Sequence, residues 1–221
     1  MTKLTQPFNI QGIDDAALSN ISLDFFVKLS KIDVINNILK NKIIVDGGSG
    51  VGRFIPFFDF CKANTVYSVE PNKKYFDFQK KWLKNKFYFL KNKKITINVF
   101  DYQIKLEDFI DKKLKYDTLW CSQALSQVDF EYVLKKQTAE FIFAENIKKD
   151  TYISKLPEEK LIELLGKYGY TILIHYEYVI EIGGNSFLYI KGKESNSFNI
   201  KKLETGSDNT GYFVVAQKQA H

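Results

Sequence analysis

Cysteine and histidine are scarce in this chain of 221 residues. The two cysteines, Cys61 and Cys121, form no C-x-x-C pair, and neither stands at metal-ligand spacing from a histidine. This pattern argues against a disulfide framework and against a metal site. The two histidines are His175, inside an apolar run, and His221. We favour a buried structural role for His175 over catalysis, so the chemistry is expected to depend little on histidine.

Arginine is almost absent although the chain is basic. Its 32 basic residues outnumber the 26 acidic ones, for a formal net charge of +6, yet Arg53 is the only arginine. Because the planar guanidinium makes most bidentate contacts to phosphates and bases, this composition disfavours nucleic acid as a partner. Lysines and aromatic residues alternate between Lys73 and Lys94. A surface helix with its aromatic side chains toward a sheet is preferred there over an RNA-binding groove.

Long hydrophobic runs and a signal peptide are also missing. No apolar run approaches the roughly 18–20 residues of a membrane span. We therefore expect an intracellular protein, cytoplasmic or nuclear, without a membrane partner. The chain has 45% hydrophobic residues and only 4 prolines and 12 glycines, which is typical of one globular domain rather than a disordered or repetitive chain.

Apolar β-rich runs alternate with helical patterns after residue 40. Strands are predicted at residues 42–46, 65–69, 95–100, 117–121, 140–144 and 171–182, and helices at residues 72–90, 130–136 and 157–168. This order predicts an α/β fold with a doubly wound, mostly parallel, Rossmann-like sheet of seven strands. Two further strand candidates, at residues 187–190 and 212–216, predict an antiparallel C-terminal end.

The chain is predicted to comprise two parts. Apolar residues at three- and four-residue steps indicate helices in residues 1–40, which we expect to cover the functional site. Residues 41–221 are predicted to form the main domain, with a polar insertion at about residues 183–210.

A glycine-rich segment follows the first predicted strand. Asp46, Gly48, Gly50 and Gly52 fit the pattern D-x-G-x-G-x-G, and Arg53 comes directly after it. Glycines allow a sharp turn close to a ligand, and a following helix presents free N–H groups. The spacing differs from the G-x-G-x-x-G of dinucleotide sites, so the loop is suited to a nucleoside without a pyrophosphate.

Carboxylates follow the next two predicted strands. Glu70, with Pro71 after it, ends the second strand and could accept hydrogen bonds from a ribose diol. Phe100 and Asp101 end the third strand and could hold an adenine ring and its amino group. Since the carboxyl ends of parallel strands share one edge of a sheet, these side chains are expected to lie close together.

Four segments of the sequence resemble one family of enzymes. DGGSGVGR, SVEPNKKY, YDTLWCSQALSQVD and FIFAENIKKD are similar to corresponding segments of the protein α-N-terminal methyltransferases, within class I of the S-adenosylmethionine-dependent methyltransferases. The resemblance implies S-adenosylmethionine as cofactor, with Arg53 on the carboxylate of its methionine part. It implies the α-amino group of a protein or peptide N-terminus as methyl acceptor. The implied cofactor-binding residues are Asp46, Gly48, Gly50, Gly52, Arg53, Glu70, Pro71, Phe100, Asp101, Ser122 and Gln123.

The resemblance is weaker where the acceptor would bind. The family has a tryptophan and a histidine where this chain has Gln123 and Gln127, whereas the acid and asparagine that end its fifth strand are kept as Glu145 and Asn146. We expect Asn146, Gln127 and Asp150 to orient the acceptor amine, with a surface position for Asp150 weighed equally. Two alternatives stay open: a small-molecule methyltransferase of the same fold, and a methyltransferase-like binding module without turnover.

Overall fold

The computed structural model describes residues 29–84, 94–122, 124–125, 127–148, 156–180, 186–190 and 210–219. Its helices are α1 (Asp33–Leu39), α2 (Ile55–Phe60), α3 (Lys73–Lys84), α4 (Leu106–Ile110), α5 (Phe130–Lys136) and α6 (Glu158–Lys167). Its strands are β1 (Ile43–Gly47), β2 (Thr65–Val69), β3 (Asn98–Tyr102), β4 (Thr118–Ser122), β5 (Phe141–Lys148), β6 (Tyr170–Ile180), β7 (Ser186–Ile190) and β8 (Thr210–Lys218).

All eight strands form one sheet, in the order β3-β2-β1-β4-β5-β8-β6-β7. Strands β1 to β5 are parallel, and β8 lies antiparallel between β5 and β6. The predicted fold class is confirmed. The described sheet has eight strands, since β7 pairs antiparallel with the second half of β6 and adds an edge strand to the seven expected.

Helices cover both faces of the sheet. Successive strand residues point to opposite sides, so both faces carry apolar side chains that helices bury. On β1, Ile44 belongs to one hydrophobic cluster and Val45 to the other. The first cluster takes its helical residues from α1, α2 and α3, and the second from α4, α5 and α6. The architecture is therefore three layers, α/β/α.

Most predicted elements are present, with shifted bounds. Strand β2 and helix α5 lie where predicted, and the Asp129 side chain caps α5 by accepting a hydrogen bond from Tyr132 N at 3.0 Å. Strand β3 lies nearer the C-terminus than predicted, in parallel register with β2 from the pair Thr65↔Asn98 onward. Strand β5 is longer than predicted because β8 pairs along its whole length. Helix α4 was not predicted from the sequence.

The predicted segments lie partly outside the described residues. Residues 1–28 of the predicted N-terminal segment and residues 85–90 of the predicted lysine-rich helix are outside them. So are residues 183–185 and 191–209 of the predicted insertion, within which β7 is described. In α3, Phe76 and Trp82 are buried while the lysines are exposed, as the preferred interpretation requires. No helix among the described residues has the length and apolar character needed to cross a membrane.

Candidate functional site at the carboxyl edge of the sheet

The parallel strands bring the candidate side chains to one edge of the sheet. The glycine loop follows β1, Glu70 follows β2, and Asp101 lies near the end of β3. Ser122 ends β4 and lies opposite Glu145 of β5 in the ladder. Residues far apart in the sequence thus meet because their strands run in the same direction.

The glycine loop uses left-handed backbone that favours glycine. Gly48, Gly50 and Gly52 have φ values of 72°, 58° and 79°. A Cβ on Gly48 would lie 2.4 Å from Ala124 Cβ, so that position is closely packed. A Cβ on Gly50 would meet no heavy atom within 4 Å. The loop therefore has one open position, at Gly50, where a ligand could approach the backbone.

Glu70 links the glycine loop to the start of α3. One carboxylate oxygen, Oε2, accepts a hydrogen bond from Gly50 N at 2.7 Å, and the other, Oε1, accepts one from Asn72 N at 2.7 Å. Burial raises the pKa of Glu70, and these two backbone donors partly oppose that effect. Since a carboxylate has about four lone-pair sites, Glu70 keeps capacity for further donors such as ribose hydroxyls.

Asp46 is a buried carboxylate at the end of β1. Among the described residues its Oδ2 has no hydrogen-bond partner. The pKa of Asp46 is raised to about 7, mainly by burial, which Arg53 partly opposes and the nearby Glu70 reinforces. A buried carboxylate oxygen without a donor is suited to a ligand that brings a cation or an N–H group.

Arg53, Ser122 and Glu145 form a chain of polar contacts. Arg53 Nη2 donates to Ser122 Oγ at 3.4 Å, and Ser122 Oγ donates to Glu145 Oε2. The guanidinium carbon also lies 5.4 Å from the centre of the Phe54 ring. The half-buried Arg53 therefore stands beside the glycine loop and is connected through Ser122 to a fully buried acid.

Phe100 and Asp101 are adjacent on β3, and adjacent strand residues face opposite sides. The Phe100 ring packs against Tyr67, with ring centres 5.8 Å apart, and is 52% exposed. Asp101 is half-buried and lies opposite Ser68 in the parallel ladder. The structure places both residues at the expected edge but turns their side chains to different faces.

The residues expected to orient an acceptor are not all brought together. Asn146 is buried on β5 and lies opposite Tyr212 of β8. Gln127 has an exposed side chain in the turn after β4, and its backbone N–H donates to Ala124 O at 3.0 Å. Asp150 lies outside the described residues. Of the residues implied to bind the cofactor, Pro71 is exposed, and Gln123 also lies outside the described residues.

His175 lies in buried surroundings, in keeping with the structural role that we favour for it from the sequence. Its Nε2 lies 2.7 Å from Glu158 Oε1, and both side chains are largely buried. Cys61 and Cys121 are both buried, and burial raises the pKa of Cys121, which keeps its thiol protonated. Within the described part of the chain, no group of three or more His, Cys, Asp or Glu side chains could hold a metal ion.

A polar cluster between the loop, α3 and β2 was not predicted from the sequence. Gln79 of α3 is fully buried and contacts Ser49 of the loop and Ser68 of β2. It lies at helical spacing between the buried Phe76 and Trp82. A polar residue on the apolar face of an amphipathic helix is a recognisable signal, and it could have pointed to Gln79.

No protein-family model and no curated protein matches the chain. Its structure is similar to that of a candidate RNA methyltransferase from Pyrococcus horikoshii, with a TM-score of 0.54 and 14% identity over 87% of this chain and 82% of that one. It is also similar to M. jannaschii TYW2 in complex with AdoMet, with a TM-score of 0.52 and 16% identity over 91% and 78%.

A third similar structure is that of a candidate S-adenosylmethionine-dependent methyltransferase from Listeria monocytogenes. The TM-score is 0.53 and the identity 14%, over 88% of this chain and 98% of that one. The fold is that of the class I methyltransferases. At such low identities the similarity establishes the fold alone.

Proposed function

We propose that this protein is an S-adenosylmethionine-dependent methyltransferase whose acceptor is the α-amino group of a protein or peptide N-terminus. The observation that carries the proposal is the glycine loop, with Gly50 open to a ligand and its amide bound to Glu70. A resemblance in four sequence segments to the protein α-N-terminal methyltransferases supports the acceptor class.

The residues present fit the proposed cofactor. Its methionine part carries an ammonium and a carboxylate. The site offers Asp46 Oδ2, which no donor among the described residues contacts, and the nearby Arg53 guanidinium. Its ribose diol suits the remaining acceptor capacity of Glu70. Its adenine would lie toward β3, where Asp101 is the candidate partner of the amino group.

The acceptor part of the proposal depends on the end of β5. When bound, S-adenosylmethionine supplies a methyl group already activated by the sulfonium, so no covalent enzyme intermediate is required. The protein's own task is to hold the acceptor in line and to orient its lone pair. An α-amino group, with a reference pKa of about 7.7–8.0, is partly neutral at physiological pH. Asn146 is the residue we assign to this orientation, with Gln127 and Asp150 as further candidates.

RNA is a second candidate acceptor, favoured by the exposed lysines of α3 and by the similarity to the candidate RNA methyltransferase from Pyrococcus horikoshii. A buried carboxylate argues for an amine instead. Glu145 is buried on β5 beside Asn146, where the acceptor would bind, and a carboxylate there suits an amine better than a phosphodiester chain.

The test is methyl transfer from radiolabelled S-adenosylmethionine to three classes of acceptor. These are a panel of peptides with free N-termini, the same peptides with acetylated N-termini, and unmodified RNA transcripts. We expect label only on the free N-termini. Label on RNA alone would replace the proposed acceptor, and a chain that binds no cofactor at millimolar concentration would contradict the enzyme assignment itself.

A further inference from the structure

Helix α3 contacts the glycine loop through Gln79. The Gln79 side chain is completely buried, and its Oε1 accepts hydrogen bonds from Ser49 Oγ and Ser68 Oγ, each at 3.0 Å. Ser49 belongs to the loop and Ser68 to β2, which ends just before Glu70. One carboxamide oxygen thus joins the loop, the neighbouring strand and the helix.

Trp82, one turn further along α3, also contacts the loop, at Val51. Its Nε1 donates to Val51 O at 2.9 Å. A Cβ on Gly52 would lie 2.8 Å from Trp82 Cζ2 and 3.0 Å from Gln79 Cγ. The loop therefore packs against this helix without room for another methyl group.

Ser49 is the residue through which Gln79 can control the loop geometry. It stands between Gly48 and Gly50, whose lack of a Cβ leaves the backbone free to adopt other conformations. The next amide along the chain, Gly50 N, donates to Glu70 Oε2. A displacement of Ser49 would therefore move the open position of the loop and its contact to Glu70 together.

We propose that Gln79 is a positioning residue that holds the glycine loop in its ligand-binding conformation through Ser49. The identity of the ligand rests on the proposed function, whereas the control of loop geometry does not. Gln79 acts from the side of the loop that faces α3 and β2. Its contribution is preorganisation, because a loop that is already ordered loses less conformational entropy when a ligand binds.

The experiment compares the intact chain with Gln79→Met, Ser49→Ala and the double variant. Gln137→Met is the matched control: Gln137 is also buried and hydrogen-bonded, to Tyr170 and Ala139, but it lies at the opposite edge of the sheet. Calorimetry measures the Kd for S-adenosylhomocysteine, hydrogen exchange measures the protection of the loop amides without ligand, and urea unfolding measures stability.

We expect Gln79→Met and Ser49→Ala each to weaken S-adenosylhomocysteine binding about tenfold, and the double variant to weaken it no further, since both changes break the same link. In Gln79→Met, loop amides should exchange faster while the rest of the chain keeps its protection. Gln137→Met should lower stability but leave the Kd within twofold.

Three results would overturn the proposal: a Kd within twofold of the parent with unchanged loop exchange, multiplicative effects in the double variant, or exchange that accelerates throughout the chain. Failure of the parent to bind S-adenosylhomocysteine is a different result. If Gln79→Met still selectively accelerates loop exchange in that case, the proposed function fails and the positioning role of Gln79 stands.

Discussion

Asp46 combines burial with a carboxylate oxygen that no donor among the described residues reaches. Burial raises its pKa in the folded chain to about 7, from an ordinary value of 3.8. Between these two values the folded chain binds a proton that the unfolded chain lacks. The contribution of Asp46 to the free energy of unfolding is therefore fully present below about pH 4 and is lost as the pH rises through 7.

Asp46→Asn should remove this pH dependence because the amide does not ionise. At pH 8 and without ligand, we expect the variant to be more stable than the parent by up to about 4 kcal/mol, the equivalent of three pKa units. Urea unfolding from pH 5 to 8 measures the difference. A parent-to-variant difference that is constant over this range would contradict the burial of an ionised Asp46.

Arg53→Lys keeps the positive charge but replaces a planar two-pronged donor with a single ammonium. If Arg53 binds the cofactor carboxylate, one charge-assisted hydrogen bond is lost, which is worth roughly 1.5–3 kcal/mol. We expect S-adenosylmethionine affinity to fall about ten- to a hundredfold, measured by calorimetry, with little change in ligand-free melting temperature. Unchanged affinity together with a melting temperature several degrees lower would instead assign Arg53 to the contact with Ser122.

At the scale of elements, Asp59 fastens the end of α2 to the segment that enters β3. Its Oδ1 accepts hydrogen bonds from Thr96 N at 2.9 Å, Thr96 Oγ1 at 2.6 Å and Ile97 N at 3.2 Å. Strand β3 begins directly afterwards, at Asn98. Together with the ladder between β2 and β3, this carboxylate therefore helps to position the edge strand and Asp101 near its far end.

Asp59→Ala should therefore destabilise the chain by about 2 kcal/mol, because three donors lose a charged acceptor. Asp77→Ala is the matched control, since Asp77 makes an exposed ion pair with Lys73 at 2.6 Å and such pairs contribute less than about 1 kcal/mol. Urea unfolding of both variants gives the comparison. Equal losses would show that the Asp59 contacts add nothing beyond a surface ion pair.

At the scale of the whole molecule, a ligand that binds only the folded chain stabilises all of it by mass action. At a concentration of 100 times its Kd, S-adenosylhomocysteine should add about 2.7 kcal/mol, which corresponds to a rise in melting temperature of about 5–10 °C for a domain of this size. Thermal scanning measures the shift. NAD is the control, because the glycine spacing does not suit a pyrophosphate, and an equal shift with NAD would contradict the proposed ligand class.

The elements that could be read from the sequence are those with a strong local pattern. Buried parallel strands form continuous apolar runs, which located β1, β2 and β4 closely, and the D-x-G-x-G-x-G pattern located the loop. A weak local pattern failed at α4, which has only five residues, whereas the strand candidate at residues 187–190 corresponds to β7 (Ser186–Ile190).

The α/β class could be predicted from the sequence alone, and so could the edge of the sheet that carries Glu70, Asp101 and Ser122, because parallel strands end at the same edge. The place of β8 between β5 and β6 and the contact of Gln79 with Ser49 of the loop could be learned only from the folded chain. These features depend on contacts between residues distant in the chain. Local propensity and spacing do not encode such contacts, since they arise when the packed layers bring the side chains together.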